Sequence, residues 1–464
     1  MFILLLMCGI SGIISNNNIY YDLYESLFHL QHRGQDSCGM VLSNEYNEYN
    51  EYKIIKKEGL VKNINEKIIE YYKIGLGHIR YKTNGELNLN QIQPFIYENY
   101  ILIHNGNIYN LTEIEQYIND KFNESISYVN DSDLLLKLFY FELLNKNINQ
   151  ENIENALINI SNICKGSYSI IIYIKNYGFV IFKDKYGIRP LCYGKNNNGY
   201  IICSESIAID NLEYKLIDEI NSGEMIIIKE NLELYKKQYI NSHLNLCIFE
   251  YIYISRPESI INNVNVYDVR LKLGEYLSTQ IINNISSEDL NEIDYIIPIP
   301  KTSNPVALMI SEKLKIPYRE GIMNNRYIDR TFIMNNQYNR KKNIRLKMSV
   351  VKNYIENKNI IIVDDSIVRG NTIKHIIDLL KKNKVGKIYV CVSSAPIKYK
   401  NIYGIDIPTN NELIANNFSI DEIEKKINAD KLIYLNIEDM INSIKYYNNN
   451  LNFDLSIFNG NYII

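Results

Sequence analysis

Asn359 to Thr372 reads NIIIVDDSIVRGNT, which sets two adjacent carboxylates, Asp364 and Asp365, directly after four apolar residues, Ile360 to Val363. Such a run predicts a short buried parallel strand. A turn bearing Ser366, Gly370, Asn371 and Thr372 follows, and then a helical pattern from Ile373 to Leu380. Strand, glycine-bearing loop and helix N-terminus make a phosphate cradle, because free backbone N–H groups and the helix dipole both favour anions. The paired acids would repel that phosphate unless they hold sugar hydroxyls or Mg²⁺. The combination fits a phosphorylated ribose better than a nucleoside triphosphate, since no GxxxxGK[ST] occurs. A lone pair of acids at a strand end, by contrast, is often no more than two solvated charges.

A second candidate sits at the start of the chain, in Met7-Cys8-Gly9-Ile10-Ser11-Gly12-Ile13-Ile14. If Cys8 becomes the first residue, its own α-amino group can serve as general base for its thiol. Their ordinary pKa values, about 8 and about 8.5, allow proton exchange near neutrality. Taken by itself, a cysteine in an apolar strand is more commonly a small buried hydrophobe. The preceding MFILLLM is too short for a signal peptide or a membrane span and lacks a basic start. We expect either initiation at Met7 or removal of residues 1–7.

Composition limits the elements that position these groups. The chain has 464 residues, 46% hydrophobic and 22% charged, which suits two or three domains with sizeable cores. A net charge of −3 with no basic domain argues against a nucleic-acid partner. No stretch reaches 18 apolar residues, so no membrane span is expected. Seven cysteines without CxxC spacing predict reduced thiols and a cytoplasmic setting. The histidines at 29, 32, 78, 104, 243 and 375 show no metal-ligand spacing. Period-2 apolar runs from 165 to 230 predict stacked antiparallel sheets, and Cys164, Cys192 and Cys203 read as core. Strands alternating with helices from 294 to 435 predict an open, mostly parallel sheet with ligand at the strand carboxyl ends.

The N-terminal strings, in order, are LQHRGQD (30–36), GHIRYKTNG (77–85), QPF (93–95), HNGN (104–107) and NDSD (130–133). With Cys8 they resemble the glutaminase domain of the N-terminal-nucleophile, or class II, glutamine amidotransferases. VDDSIVRGNT in turn resembles the phosphoribosyl-pyrophosphate (PRPP) loop of phosphoribosyltransferases. Joined through NSHLNLCIFEYIYISRPES (241–259), the whole chain from 8 to 462 resembles the amidophosphoribosyltransferase family.

The resemblance implies an α+β N-terminal-nucleophile sandwich, stacked antiparallel sheets between helices, followed by an α/β phosphoribosyltransferase-type parallel sheet domain. Boundaries are expected at 8–240 and 241–442, with a poorly ordered tail at 443–464 apart from the string FNGNY (458–462). It implies Cys8 as nucleophile, with Asn105 and the backbone N–H of Gly34 or Gly106 stabilising the oxyanion. Arg80 would grip the glutamine α-carboxylate and Asp131 its α-ammonium, although Asp131 could equally cap its helix and HNGN could be a turn. Asp364 and Asp365 would hold the ribose hydroxyls and, with Thr302, Mg²⁺. Ser366, Arg369, Gly370, Asn371 and Thr372 would take the 5′-phosphate. GIRPL (187–191) and SES (204–206) would close the sheet and the domain interface, and Arg326, Tyr327 and Arg330 would belong to a loop closing over PRPP.

Ammonia from glutamine would then pass inside the protein to PRPP, giving 5-phosphoribosylamine, pyrophosphate and glutamate, the entry to purine synthesis. A homo-oligomer with purine nucleotides as inhibitors is implied. Three positions depart from the family pattern. Lys301 replaces a usual acid beside pyrophosphate, Asn324 a lysine linked to nucleotide inhibition, and Asp329 a glycine. Of the four cysteines that hold an iron–sulfur cluster in some members only Cys247 has a counterpart, so no cluster is expected. The alternatives are another class II amidotransferase, or a relative that senses PRPP or nucleotides without turnover.

Overall fold

The computed structural model describes residues 7–44, 52–66, 68–81, 89–325, 348–407 and 409–463. Asp329 and the loop residues Arg326, Tyr327 and Arg330 lie outside these. The N-terminal half is built from two antiparallel sheets. The first runs Lys215–Glu219, Cys192–Lys195, Gly199–Cys203, Gly9–Ser15, Ile74–Arg80, Ser37–Ser43, Lys53–Glu58. The second runs Leu234–Gln238, Glu224–Lys229, Gly178–Lys183, Gly166–Ile174, Tyr100–Ile108, Phe95–Tyr97.

Side-chain alternation explains the layering, because successive residues of a strand face opposite sides. Ile10 and Ile14 meet Ile101, Ile103, Ile171, Ile181 and Ile226 between the sheets. Ile13, one position out of phase, turns to Leu23 and Leu27 of the helix Tyr20–Leu30. On the far side, Leu102, Ile170 and Ile227 pack under Leu135, Phe139 and Leu157 of the helices Asp131–Leu143 and Gln150–Ile163. The result is helices, sheet, sheet, helices.

The C-terminal half is a parallel sheet in the order Tyr295–Pro298, Ile360–Asp364, Ile388–Val392, Lys431–Tyr434. Both faces are covered: Ile360 and Ile362 enter one core, Ile361 and Val363 the other. That double burial is why the central strand reads as an unbroken apolar run. Among the described residues no helix is long and apolar enough to cross a membrane.

Three expectations are corrected. HNGN is not a turn. It lies within Tyr100–Ile108, where Asn105 opposes Ser169 and Gly106 opposes Tyr168 without a break in register. The cap of the helix after NDSD is Asn130, whose side chain accepts from Asp133 N–H, so Asp131 is released from capping. Residues 443–464 are no loose tail. The helix Ile437–Lys445 crosses that boundary, Phe453–Asp454 pairs in parallel with Leu246–Cys247, and Ile457 and Phe458 are buried. Apolar side chains at 453, 457 and 458 complete the core beneath the segment that joins the halves.

The halves are locked together by buried polar contacts. Ser167 Oγ and Arg189 Nε donate to the Tyr403 carbonyl at 2.7 and 2.8 Å, and Asn107 Nδ2 donates to the Ile402 carbonyl at 2.9 Å. Fully buried Arg33 pairs with both Glu205 and Glu250, and Glu205 also meets His32. Burial alone would raise the Glu205 carboxyl, but His32 and Arg33 hold it well below the usual carboxylate range. The strings GIRPL and SES supply Arg189 and Glu205, which places both at this interface.

A depressed carboxyl contributes stability that is present above its unfolded pKa and fades as pH falls toward the folded value. Glu205→Gln is therefore expected to cost roughly 3–5 kcal/mol near pH 7, because it leaves Arg33 short of a buried counter-charge. Calorimetric melting of both proteins from pH 7 down to pH 4 should show the gap narrowing below about pH 4.5.

Candidate active sites

Cys8 immediately precedes the strand Gly9–Ser15, whose neighbours on either side are Gly199–Cys203 and Ile74–Arg80. Gly9 opposes Ile79, so the end of the second strand brings Arg80 and Tyr81 to the thiol. Burial pushes the thiol pKa up, opposed by the Tyr81 backbone N–H and the charges of Arg80 and Arg33. The group therefore rests protonated and needs a base to become a nucleophile. Arg33 Nε donates to the Cys8 carbonyl at 3.2 Å, which fixes the backbone on which the thiol is carried.

Asn105 is 1% exposed, yet neither its Nδ2 nor its Oδ1 has a partner in the structure. A buried side-chain amide left unsatisfied costs free energy unless a ligand completes it. Next to it, Gly106 adopts φ +152, and a Cβ there would lie 2.0 Å from the Ser167 carbonyl oxygen. The added Cβ of Gly404, from the other half, would come within 3.0 Å of the Gly106 backbone. Only glycine allows both backbones to approach so closely.

Asp131 is held at the helix start: Oδ2 accepts from Ile108 N–H at 3.1 Å and Oδ1 from Ser132 N–H at 2.9 Å. Its Oδ2 lies 3.8 Å from His104 Nδ1, which also meets Ser132 Oγ at 2.9 Å. Gln93 Nε2 in turn donates to the His104 carbonyl and to Ser132 Oγ, each at 3.2 Å. Gly34 packs against Arg80, where a Cβ would lie 2.7 Å from the Arg80 carbonyl carbon. The Arg80 guanidinium reaches Gln91, through its carbonyl and Oε1, at 3.3 Å each. The Cys8 thiol thus feels the charges of Arg80 and Asp131, Gly34 packs on Arg80, and Asn105 and Gly106 lie on the strand whose Ile108 N–H binds Asp131.

At the second site the strand Ile360–Asp364 ends in buried Asp364, and Asp365 begins the loop. Burial pushes both carboxyls up, Asp364 further through the charge of Asp365, which itself is raised to about 6. Ser366 Oγ donates to Asp365 Oδ1 at 2.7 Å. Gly370 takes φ +75 and starts the helix Asn371–Lys382 with no side-chain cap, so the first N–H groups of that helix stay unsatisfied by any cap. Arg369 NH2 donates to Glu412 at 3.0 Å while its buried Nε lacks a partner. Unpartnered buried polar atoms gather at the same sheet end: Ser393 Oγ, Ser394 Oγ and Tyr434 OH, which follow or end neighbouring strands, and Asn304 Oδ1. Thr302 lies in the turn after the adjacent strand Tyr295–Pro298, with Lys301 beside it and exposed.

Two carboxylates and a hydroxyl are the hard oxygen donors that suit Mg²⁺, which commonly takes only one or two protein carboxylates and completes its shell with water and substrate phosphates. Among the described residues no cluster of three or more His, Cys, Asp or Glu could hold a metal ion.

Sequence reading missed Tyr81 and Asp406 as partners. Burial raises the Asp406 carboxyl, while the charge of Arg369 and the nearby Tyr81 hydroxyl pull it back down. One residue beyond Arg80 thus touches the half that carries the PRPP-type loop. Tyr81 stands in GHIRYKTNG and Asp406 in IYGIDIP, but nothing in either string announces the other.

A cysteine that opens a strand in the antiparallel half, and a strand–acid–acid–loop–helix cradle in the parallel half, are the arrangement expected of a glutamine amidotransferase joined to a phosphoribosyltransferase. Comparison with known proteins agrees. The glutamine amidotransferase domain family matches residues 78–211 and the phosphoribosyl transferase domain family residues 270–422. The amidophosphoribosyltransferase of Pasteurella multocida is 36% identical over 98% of this chain and 93% of its own length. The glutamine phosphoribosylpyrophosphate (PRPP) amidotransferase of B. subtilis, solved with ADP and GMP, superimposes with a TM-score of 0.85. It is 31% identical and the match covers 98% of this chain and 97% of that one. A second structure, of the allosteric regulatory enzyme of purine biosynthesis, gives a TM-score of 0.86 at 32% identity, covering 98% and 96%. The chain belongs to the amidophosphoribosyltransferase family.

Proposed function

We propose that this enzyme hydrolyses glutamine at Cys8 and delivers the ammonia internally to PRPP, forming 5-phosphoribosylamine, pyrophosphate and glutamate at the entry to purine synthesis. The observation that carries the reading is the unpaired Asn105 amide, buried in the half that holds Cys8 and completed by nothing in the protein. The α-amino group of Cys8 is a base only when no peptide bond precedes it, so the active form begins at Cys8. That amine takes the thiol proton as sulfur attacks the glutamine carboxamide. Asn105 Nδ2 and the Gly106 or Gly34 N–H stabilise the oxyanion, Arg80 grips the α-carboxylate, and Asp131 binds the α-ammonium. The amine returns its proton to departing ammonia, and water then cleaves the thioester to glutamate.

At the second site the unsatisfied N–H groups from Gly370 to Thr372, with Ser366 and Arg369, take the 5′-phosphate. Asp364 and Asp365 would hold the ribose hydroxyls and, with Thr302, Mg²⁺, whose charge would offset that developing on pyrophosphate. Lys301 adds a cation on the pyrophosphate side. The protein's main task here is to orient PRPP and to keep water from competing with ammonia. Purine nucleotides are the proposed inhibitors, as ADP and GMP are bound in the B. subtilis relative. The seven free cysteines suit a reducing, cytoplasmic setting.

Asn105→Ala is expected to lower kcat for glutamine hydrolysis by about 10²–10³-fold, the usual effect of removing one oxyanion donor. Ammonia-dependent product formation should stay within about twofold, since the second site is untouched. Steady-state kinetics with each nitrogen donor checks both. Equal loss with glutamine and with ammonia would contradict the role.

A further inference from the structure

The strand Tyr100–Ile108, which carries Asn105 and Gly106, pairs on one side with the short strand Phe95–Tyr97. Their register sets Phe95 against Leu102, so continuing it would set Gln93 against His104. The paired segment begins only at Phe95, and the Gln93 carbonyl is turned to another neighbour. It is pressed against the strand Ser37–Ser43, where a Cβ on Gly39 would lie 2.1 Å from it. At this position the side chain takes the place of the backbone. Gln93 Oε1 accepts from His104 N–H at 2.7 Å, and Nε2 donates to the His104 carbonyl at 3.2 Å. A hydrogen-bonded residue of an antiparallel strand exchanges the same two bonds with its partner. A side-chain amide can imitate it because it offers both a donor and an acceptor.

The same amide reaches the carboxylate assigned to the α-ammonium of glutamine. Gln93 Nε2 also donates to Ser132 Oγ at 3.2 Å. Ser132 Oγ and Ser132 N–H donate to Asp131 Oδ1 at 3.3 and 2.9 Å. Gln93 is 6% exposed and Ser132 2%, so water hardly competes for these bonds. Each step from Gln93 to Asp131, and to the peptide joining His104 to Asn105, is a direct hydrogen bond.

We propose that Gln93 is a positioning residue for glutamine hydrolysis, acting through Ser132 on Asp131 and through the His104 backbone on Asn105. The inference rests on the functional reading above and adds the residue that holds both ends of the substrate in one frame. Asn105 serves the carboxamide from a strand, and Asp131 serves the α-ammonium from the helix Asp131–Leu143. Their separation is therefore set by whatever ties strand to helix. A misplacement of about 1 Å is costly to a reaction that needs both.

The test uses the full enzyme beginning at Cys8, with PRPP and Mg²⁺ present throughout, and the variants Gln93→Met and Ser132→Ala. It reads kcat and KM for glutamate release, and the inhibition constant of glutaramate, which is glutamine without its α-amino group. Gln93→Met keeps length and bulk but loses both halves of the amide. KM for glutamine should rise about tenfold and kcat should fall about tenfold. The glutaramate constant should stay within about twofold, because that molecule has no ammonium for Asp131 to hold. Ser132→Ala cuts only the hydroxyl link, so KM should rise about threefold while kcat and the glutaramate constant hold within about twofold. Product formation from ammonium chloride should stay parental in both. If Gln93→Met does not fold, Ser132→Ala decides alone.

A parental KM in folded Gln93→Met, or in Ser132→Ala, would overturn the proposal. So would a glutaramate constant that rises in step with KM, the mark of general damage to the site. A parental KM in Asp131→Asn would instead remove Asp131 from glutamine binding, and a parent that releases no glutamate would sink the functional reading. This inference falls with either.

Discussion

Cys8→Ala, made in a chain that begins at residue 8, is expected to abolish glutamine-dependent product formation by a factor on the order of 10⁴ or more. Product formation from ammonium salts should continue within about twofold of the parent rate. The asymmetry follows from geometry: the thiol stands with Arg80, Asp131 and the Tyr81 N–H, whereas Asp364 to Thr372 run from the end of a strand in a separate sheet, through a loop, into a helix. Assaying pyrophosphate release with each donor measures both effects at once. Loss of both activities would mean that the Cys8 side chain also supports the second site, contrary to this account.

Asp365→Asn should give the opposite pattern of donor dependence, with transfer to PRPP reduced about 10²–10³-fold whether glutamine or ammonia supplies nitrogen. The same substitution should not destabilise the fold. Burial and the neighbouring Asp364 make these charges costly in the protein without ligand, which is why both carboxyls are pushed up. A raised carboxyl loses stability as pH climbs through its folded value, so removing the charge should raise the melting temperature by about 1–2 °C near pH 8. That gain should shrink as pH falls below about 6 and vanish only near pH 4, where the unfolded carboxyl is protonated as well. Activity traded against stability in this way marks a functional carboxylate. A variant that is active, or that melts earlier at both pH values, would remove Asp365 from the site.

Much of this was legible in the sequence where local pattern and chemistry coincide. The run Ile360–Val363 is apolar because both faces of its strand are covered, and the acids, loop and helix follow in the order the cradle needs. Alternation in Gly166–Ile174 and Glu224–Lys229 marked strands because each places one face between the sheets and the other under helices. HNGN misled because glycine and asparagine are turn formers, whereas here unbroken pairing with Gly166–Ile174 outweighs local preference. The residues after 443 misled similarly. Their Asn- and Tyr-rich composition looks solvated, but Phe453 and Ile457 are claimed by a core whose other side, at Tyr251, is some two hundred residues earlier in the chain. Arg33–Glu250 and Tyr81–Asp406 are long-range polar pairs, and neither member carries a local sign of its partner.

The most direct test of the central claim, two sites working as one, is glutamate release from glutamine with and without PRPP and Mg²⁺. The protein must be shown by intact mass to begin at Cys8. We predict a rise of about tenfold or more when PRPP and Mg²⁺ are present, within the range of ordinary coupling between sites. Release that is rapid but indifferent to PRPP would contradict the account and leave a glutaminase beside an uncoupled second domain.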